Sequence, residues 1–182
     1  VLTDIEVSSK QLRAMINLLQ HRANWRVEGT PGRYSSHLGR RTAGVMVVWD
    51  ERRFVMEEKR VILSGRLLRI KLQDIIVGDV LTLLAAYLPT RDKQDAVIES
   101  VWEQVESQVE DAEEAMLLIG DLNAELVDDV REGGRACTKA DLCLQQLVDE
   151  YGYVDVGPGG PTFTRNSSST RIDHVLADAC VA

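Results

Sequence analysis

Leu117-Leu118-Ile119-Gly120-Asp121-Leu122-Asn123-Ala124 is an apolar run that breaks abruptly into Gly-Asp-x-Asn. Polar groups at the carboxyl end of a buried strand are rigidly held and open into a crevice, which is where α/β folds place their sites. Asp supplies a charged acceptor and Asn a neutral donor and acceptor, a pair able to orient a water while touching a phosphate oxygen. Taken alone, the segment reads at least as readily as a tight turn, because Gly, Asp and Asn all favour turns.

Outward from this point the pattern alternates between strand and helix. Met116 to Gly120 reads as a buried strand, and before it Asp92 to Ala115 places Val97, Val101, Val105, Val109 and Ala112 at helical spacing. Asp79 to Tyr87 is almost unbroken apolar sequence stopped by Pro89, as expected of a central strand covered on both faces. Leu68, Ile70 and Leu72 alternate with Arg69 and Lys71, predicting a strand with one wet face and an antiparallel neighbour. Gly44 to Trp49 is a short β-branched strand, Asn24 to Arg41 reads as a loop or irregular strand crossing, and Val1 to Asp4 reads as the tail of a strand. Ser8 and Gln11 form a capping-box start for a helix carrying Leu12, Met15, Ile16 and Leu19. Downstream, Thr138 to Glu150 is a helix capped by Thr138 and closed at Gly152, and Arg171 to Leu176 is a last strand. Interleaved strands and helices with hairpin-like pairs predict an α/β (α+β) chain of mixed sheets with helices packed outside.

The 182 residues suit one domain, and 45% hydrophobic with 27% charged residues exclude disorder as the main state. No apolar run nears the ~20 residues that span a bilayer and no basic-then-apolar leader opens the sequence, so membrane spanning and a retained signal peptide are not expected. Three cysteines, Cys137, Cys143 and Cys180, are too few for a disulfide framework, and no Cys/His cluster has zinc spacing, which points to a reducing intracellular setting. The net charge of −8 argues against nucleic acid on its face. However, Val1 to Lys71 carries 14 Lys and Arg against 7 Asp and Glu, while Leu72 to Ala182 carries 7 against 22. Solvated faces would produce that asymmetry, and so would a basic half facing a polyanion beside acidic metal ligands.

Three further pieces accompany the Gly-Asp-Leu-Asn turn: Ala86-Tyr87-Leu88-Pro89-Thr90 at the end of the other buried strand, Thr162-Phe163-Thr164-Arg165 after a Gly/Pro loop, and Ser169-Thr170-Arg171-Ile172-Asp173-His174. In this order and spacing they resemble the endonuclease/exonuclease/phosphatase superfamily over nearly the whole chain. The Tyr-x-Pro-Thr, acidic Trp-containing helix, Ile-Gly-Asp-Leu-Asn-Ala, Tyr-Gly-x-x-Asp-Val and Pro-Thr-Phe-Thr-Arg progression looks most like the apurinic-type endonuclease domains of non-LTR retrotransposons.

That resemblance implies a four-layer sandwich, two packed mixed β-sheets flanked by helices, with the site at one end. It implies phosphodiester hydrolysis with Mg²⁺, Mn²⁺ being the substitute ion, and DNA as the substrate, nicked to leave a 3′-hydroxyl. Carried over by motif, Asp4 would bind the metal, in the place of a family Glu and with Glu6 as a fallback. Asp121 would position or deprotonate the attacking water, Asn123 would hold water and phosphate, and Tyr87 would donate to a phosphate oxygen. Asp173 would orient a catalytic histidine, and Arg171 and Thr164 would contact substrate, although Arg171 pairs equally well with a neighbouring acid. His174, beside Asp173 on a strand and so facing the other way, is not expected to be catalytic, and His21 and His37 match no motif and are expected at the surface. The resemblance further implies a domain lacking both terminal strands, covalently linked to a reverse-transcriptase region and nuclear in a eukaryotic retroelement. A phosphatase of small phosphoesters and a non-catalytic nucleic-acid- or protein-binding remnant are the competing expectations.

Overall fold

The structure, a computed structural model, describes residues 1–20, 24–36, 39–91, 93–132, 135–165 and 168–178. In chain order the elements are β1 (Leu2–Thr3), α1 (Ser9–Gln20), β2 (Trp25–Thr30), β3 (Arg33–Ser35), β4 (Arg40–Thr42), β5 (Val45–Asp50), β6 (Phe54–Leu63), β7 (Leu67–Asp74) and β8 (Val80–Tyr87). They continue as α2 (Asp95–Glu110), β9 (Met116–Asp121), α3 (Val127–Glu132), α4 (Lys139–Tyr151), β10 (Tyr153–Asp155), β11 (Phe163–Arg165), β12 (Ser168–Thr170) and β13 (Asp173–Asp178). His21, His37 and Cys180 lie outside the described residues.

Two sheets carry the architecture. The larger is ordered β10-β13-β9-β8-β7-β6, with the β8–β9 pair parallel and the other pairs antiparallel. The smaller, β1-β5-β2, is antiparallel throughout, so only one of the two sheets is mixed. Parity along β8 explains its unbroken apolar sequence. Leu83 and Ala85 point between the sheets, where they meet Val45, Val47 and Trp49 of β5 and Leu68, Ile70 and Leu72 of β7. Leu84 and Ala86 point the other way, into a cluster with Ile98, Val101, Trp102 and Val105 of α2 and Leu144 and Leu147 of α4. On the outer face of the small sheet, Leu12 of α1 buries against Val27 and Met46. The layers therefore run α1, small sheet, large sheet, α2 with α4, which is the four-layer order expected.

The helix starts are held as the sequence indicates. The Gln11 side chain accepts from Ser8 N at 2.9 Å and Ser8 Oγ accepts from Gln11 N at 3.2 Å. Thr138 and Asp141 make the reciprocal pair before α4, which ends with Gly152 at φ 66°. Two strands do not follow the sequence pattern. The stretch expected as a loop or irregular strand crossing contains a regular strand, β2, paired along its length with β5 from Trp25↔Asp50 to Thr30↔Val45. Its alternation is hidden by Gly29, where a Cβ would sit 2.9 Å from the Val45 carbonyl oxygen and 3.3 Å from Leu12 Cδ1; the glycine lets α1 settle onto the sheet. β6 is an edge strand whose register shifts between Met56 and Glu58 and between Val61 and Leu63, and bulges erase a period of two.

Candidate active site

Three neighbouring strands of the large sheet deliver Tyr87, Asp121 and Asp173 to one end of it. β8 and β9 run parallel and terminate together, with Tyr87 in register with Asp121. β13 runs the other way and starts there, with Asp173 opposite Asp121. Gly120 makes the spacing achievable: at φ 148°, a Cβ on it would lie 1.9 Å from the Ala86 carbonyl oxygen. Beyond the strand end, Asp121 Oδ1 accepts from Asn123 N at 3.0 Å, an Asx turn that throws Asn123 into the left-handed region at φ 49°. Asn123 Nδ2 donates to the Leu88 carbonyl at 3.0 Å, tying the β9 turn to the β8 turn. The Gly-Asp-x-Asn segment is thus both the tight turn and the cleft wall that its sequence left open.

From the other sheet comes Asp4, immediately after β1 and at φ 52°. Its carboxylate faces the Tyr87 phenol across the cleft. Asp4, Tyr87, Thr90, Arg91, Asp121 and Asn123 line a cleft of about 620 Å³, which Phe163, Thr170 and Ile172 complete. The field inside it is negative. Burial, reinforced by the Asp173 and Asp4 carboxylates against the opposing Asn123 amide and His174, pushes Asp121 up to about 6. Burial together with the Asp4 and Asp121 charges pushes Tyr87 up to about 12, so the phenol keeps its proton and acts as a donor.

A set of buried charges supports the 121–125 turn from below. Arg91 pairs with Glu125 at 2.7 Å and with Asp141 at 3.5 Å, and its Nε donates to the Asn123 carbonyl at 3.4 Å. Arg135 pairs with Glu125 from the far side, and Asp141 Oδ1 accepts from Glu125 N at 2.7 Å. No motif in the sequence singles out Arg91; only its place directly after Tyr-x-Pro-Thr puts it at the mouth of the cleft.

Of the residues expected at the site, Asp4, Tyr87, Asp121 and Asn123 share this cleft. Asp173 is exposed next to it and lines an adjoining hollow of about 240 Å³. Arg171 and Thr164 are not brought there. Arg171 instead pairs with Asp155 at 2.8 Å, and Thr164 Oγ1 lies 3.2 Å from Ser169 Oγ. In the β11–β12 ladder Phe163 is opposite Thr170 and Thr164 opposite Ser169, so it is the first pair that faces the cleft and the second that faces away. Glu6 does not line the cleft either, because β1 ends at Thr3 and the left-handed Asp4 breaks the alternation that would have put both acids on one face. His174 is buried, with Nδ1 2.7 Å from Asp155 Oδ2 and Nε2 2.9 Å from the Ala124 carbonyl oxygen. Both ring nitrogens are thus engaged by oxygens and the ring is turned away from the cleft.

Among the described residues no three His, Cys, Asp or Glu side chains converge as a metal-holding group. The donors that are present are hard carboxylate oxygens at the edge of a negative cleft, with Asp4 and Asp121 close enough to raise each other's neighbour Tyr87. This suits a small divalent cation held by one or two carboxylates and its own waters, rather than a closed protein cage.

Residues 6–181 match the family described as the Endonuclease/Exonuclease/phosphatase family. No curated protein sequence matches. Among solved structures, the endonuclease domain of TRAS1, a telomere-specific non-LTR retrotransposon, superposes with a TM-score of 0.61 at 17% identity, over 96% of this chain and 81% of that one. The AP endonuclease LMAP from Leishmania major gives 0.65 at 12% identity, over 86% and 62%. A mannosyl-6-phosphatase from Bacteroides thetaiotaomicron gives 0.57 at 15% identity, over 93% and 67%. At these identities the likeness is one of fold, and it spans nucleases and a phosphatase alike.

Proposed function

We propose that this chain, which belongs to the endonuclease/exonuclease/phosphatase family, hydrolyses phosphodiester bonds in DNA as the nicking domain of a non-LTR retroelement. The observation that carries this is the pair Tyr87 and Asp121 on adjacent strand ends, lining one open cleft with Asp4 of the other sheet, and Asp173 on the third strand end just beside it. A scissile phosphate placed there meets the Tyr87 phenol as a donor on a non-bridging oxygen. Asp121 takes the proton of a water as its oxygen attacks phosphorus, the bond to the 3′ oxygen breaks, and that oxygen takes a proton from solvent water, leaving a 3′-hydroxyl and a 5′-phosphate. A base whose pKa is pushed up to about 6 is ionised at neutral pH and still basic enough to accept that proton. Asn123, with one amide hydrogen committed to Leu88, keeps its carbonyl oxygen and second hydrogen for the water and the phosphate. Asp4 would hold Mg²⁺, or Mn²⁺ in its place, and such an ion when bound neutralises charge building on the phosphorus.

The retroelement assignment rests on the motif progression of the sequence and is supported by the TRAS1 likeness; it carries with it a covalently linked reverse-transcriptase region and a nuclear site of action. No helix is long and apolar enough to cross a membrane among the described residues. The test is end analysis: a labelled duplex incubated with the protein and Mg²⁺ should yield nicks with extendable 3′-hydroxyls. Phosphate release from small monoesters without any duplex cleavage would replace this reading with that of a phosphatase.

A further inference from the structure

Much of the basic amino-terminal half is neutralised in pairs: Arg26 with Glu51, Arg53 with Asp74, Lys59 with Glu28 and Lys71 with Glu114, at 2.5–2.8 Å. Arg33 and Arg66 have no carboxylate partner among the described residues. Instead they stand together. Gly65, at φ 75°, docks on the 31–33 segment, with its N–H donating to Thr30 Oγ1 at 2.9 Å and the position of a Cβ lying 3.7 Å from Arg33 Cγ. The guanidinium of the next residue, Arg66, donates to the Tyr87 carbonyl at 3.0 Å and lies over the Tyr87 ring, 5.4 Å from its centroid. Burial above all, with the neighbouring Arg33 charge, pushes the Arg66 pKa down, against the opposing pull of Tyr87 and Asp4.

Arg33, Arg66 and Lys93 line a hollow of about 460 Å³ with no acidic residue in its wall among the described residues. The 87–93 segment separates it from the active-site cleft: Tyr87, Thr90 and Arg91 face the cleft, and Pro89 and Lys93 face the hollow. Two neighbouring guanidinium groups without a carboxylate partner, the half-buried Arg66 and the exposed Arg33, stand beside a site that handles a phosphate and match phosphate geometry in particular. We propose that this hollow binds a backbone phosphate of the nucleic acid neighbouring the one being cleaved, with Arg66 pinned behind Tyr87 linking the two positions. The proposal rests on the nuclease reading above, since a ligand with one phosphorus cannot fill both cavities.

The test measures binding of a labelled DNA duplex in EDTA, where no turnover occurs, as a function of salt. Each phosphate contact contributes about 0.9 to the slope of log K against log salt. Arg33→Ala with Lys93→Ala should flatten the slope by about 1 to 2 and weaken binding ~10-fold or more near physiological salt. The charge-matched pair Arg13→Ala with Arg60→Ala, exposed positions away from both cavities, should keep the wild-type slope, and circular dichroism confirms that both variants are folded. A wild-type slope in the Arg33/Lys93 variant overturns the subsite while leaving the nuclease reading in place. Loss of inorganic-phosphate binding in that variant with an unchanged duplex slope assigns the hollow to a small phosphate and overturns it as well. Absence of any salt-dependent duplex binding by the wild-type chain overturns the nuclease reading and the subsite together.

Discussion

Asp121 is the residue on which the chemistry turns, and its burial sets function against stability. Its folded pKa, pushed from the ordinary 3.8 to about 6, lies above the unfolded one, so folding favours the protonated form. The resulting stabilisation is complete below 3.8 and lost as pH rises through 6, leaving an ionised carboxylate that costs on the order of 2 kcal/mol at pH 7–8. Asp121→Asn should therefore raise the melting temperature of the metal-free protein at pH 7.5, with the gain fading towards pH 4, while nicking falls by ~10³-fold, within the range a general base supplies. Asp155 has the opposite sign. Burial alone would raise it, but the His174 and Gly157 hydrogen bonds and the His174 and Arg171 charges outweigh that and hold it below the usual carboxylate value. Its contribution is present above the unfolded 3.8 and lost as pH falls below it, so Asp155→Asn should melt earlier at pH 7 and lose less stability on acidification than the wild type. Asp4, Tyr87, Asp121 and Asn123 were legible in the sequence because strand ends and an Asx turn leave little freedom in where they point. Arg171 and Thr164 were not, since an ion pair in one case and strand parity in the other decide their direction, and neither is written in a motif.

At the scale of elements, the site depends on two strands pressed together and on the clamp beneath their turns. Gly120→Ala places a methyl 1.9 Å from the Ala86 carbonyl oxygen at a φ that side chains rarely adopt, which must part β8 from β9. That variant should lose stability by more than the ~1 kcal/mol of an ordinary glycine substitution and lose nicking with it, as read by urea melts and plasmid assay. Arg91→Ala leaves the buried Asp141 without its cation and Glu125 with Arg135 alone, and should cost up to about 3–5 kcal/mol, the loss when buried pairs are broken. Combined loss of Glu125 charge in Arg91→Ala/Glu125→Gln should restore part of the melting temperature, separating charge burial from mere packing loss. Central strands and both large helices could be read from apolar period and caps. β2 and β6 could not, because one is held by its partner strand around a packing glycine and the other is a bulged, charged edge whose pairing is made by tertiary contacts alone.

For the molecule as a whole, the site exists only where the two sheets meet. Tyr87, Asp121 and Asp173 belong to the large sheet, Asp4 follows β1 of the small one, and the Tyr87 phenol and the Asp4 carboxylate face each other across the seam. The apolar layer of Val45, Val47, Leu68, Ile70, Leu83 and Ala85 sets the distance between the sheets and hence the width of the cleft. The opposed charges of the two halves of the chain find a structural meaning in the same place, with acidic groups inside the cleft and Arg33 and Arg66 beside it. The most direct measurement of this account is relaxation of supercoiled plasmid by the 182-residue chain with Mg²⁺, alongside Asp121→Ala and an EDTA control. The account predicts conversion to open circles by the wild type alone; open circles formed equally by Asp121→Ala, or none formed by a folded wild-type chain that binds DNA, would contradict it.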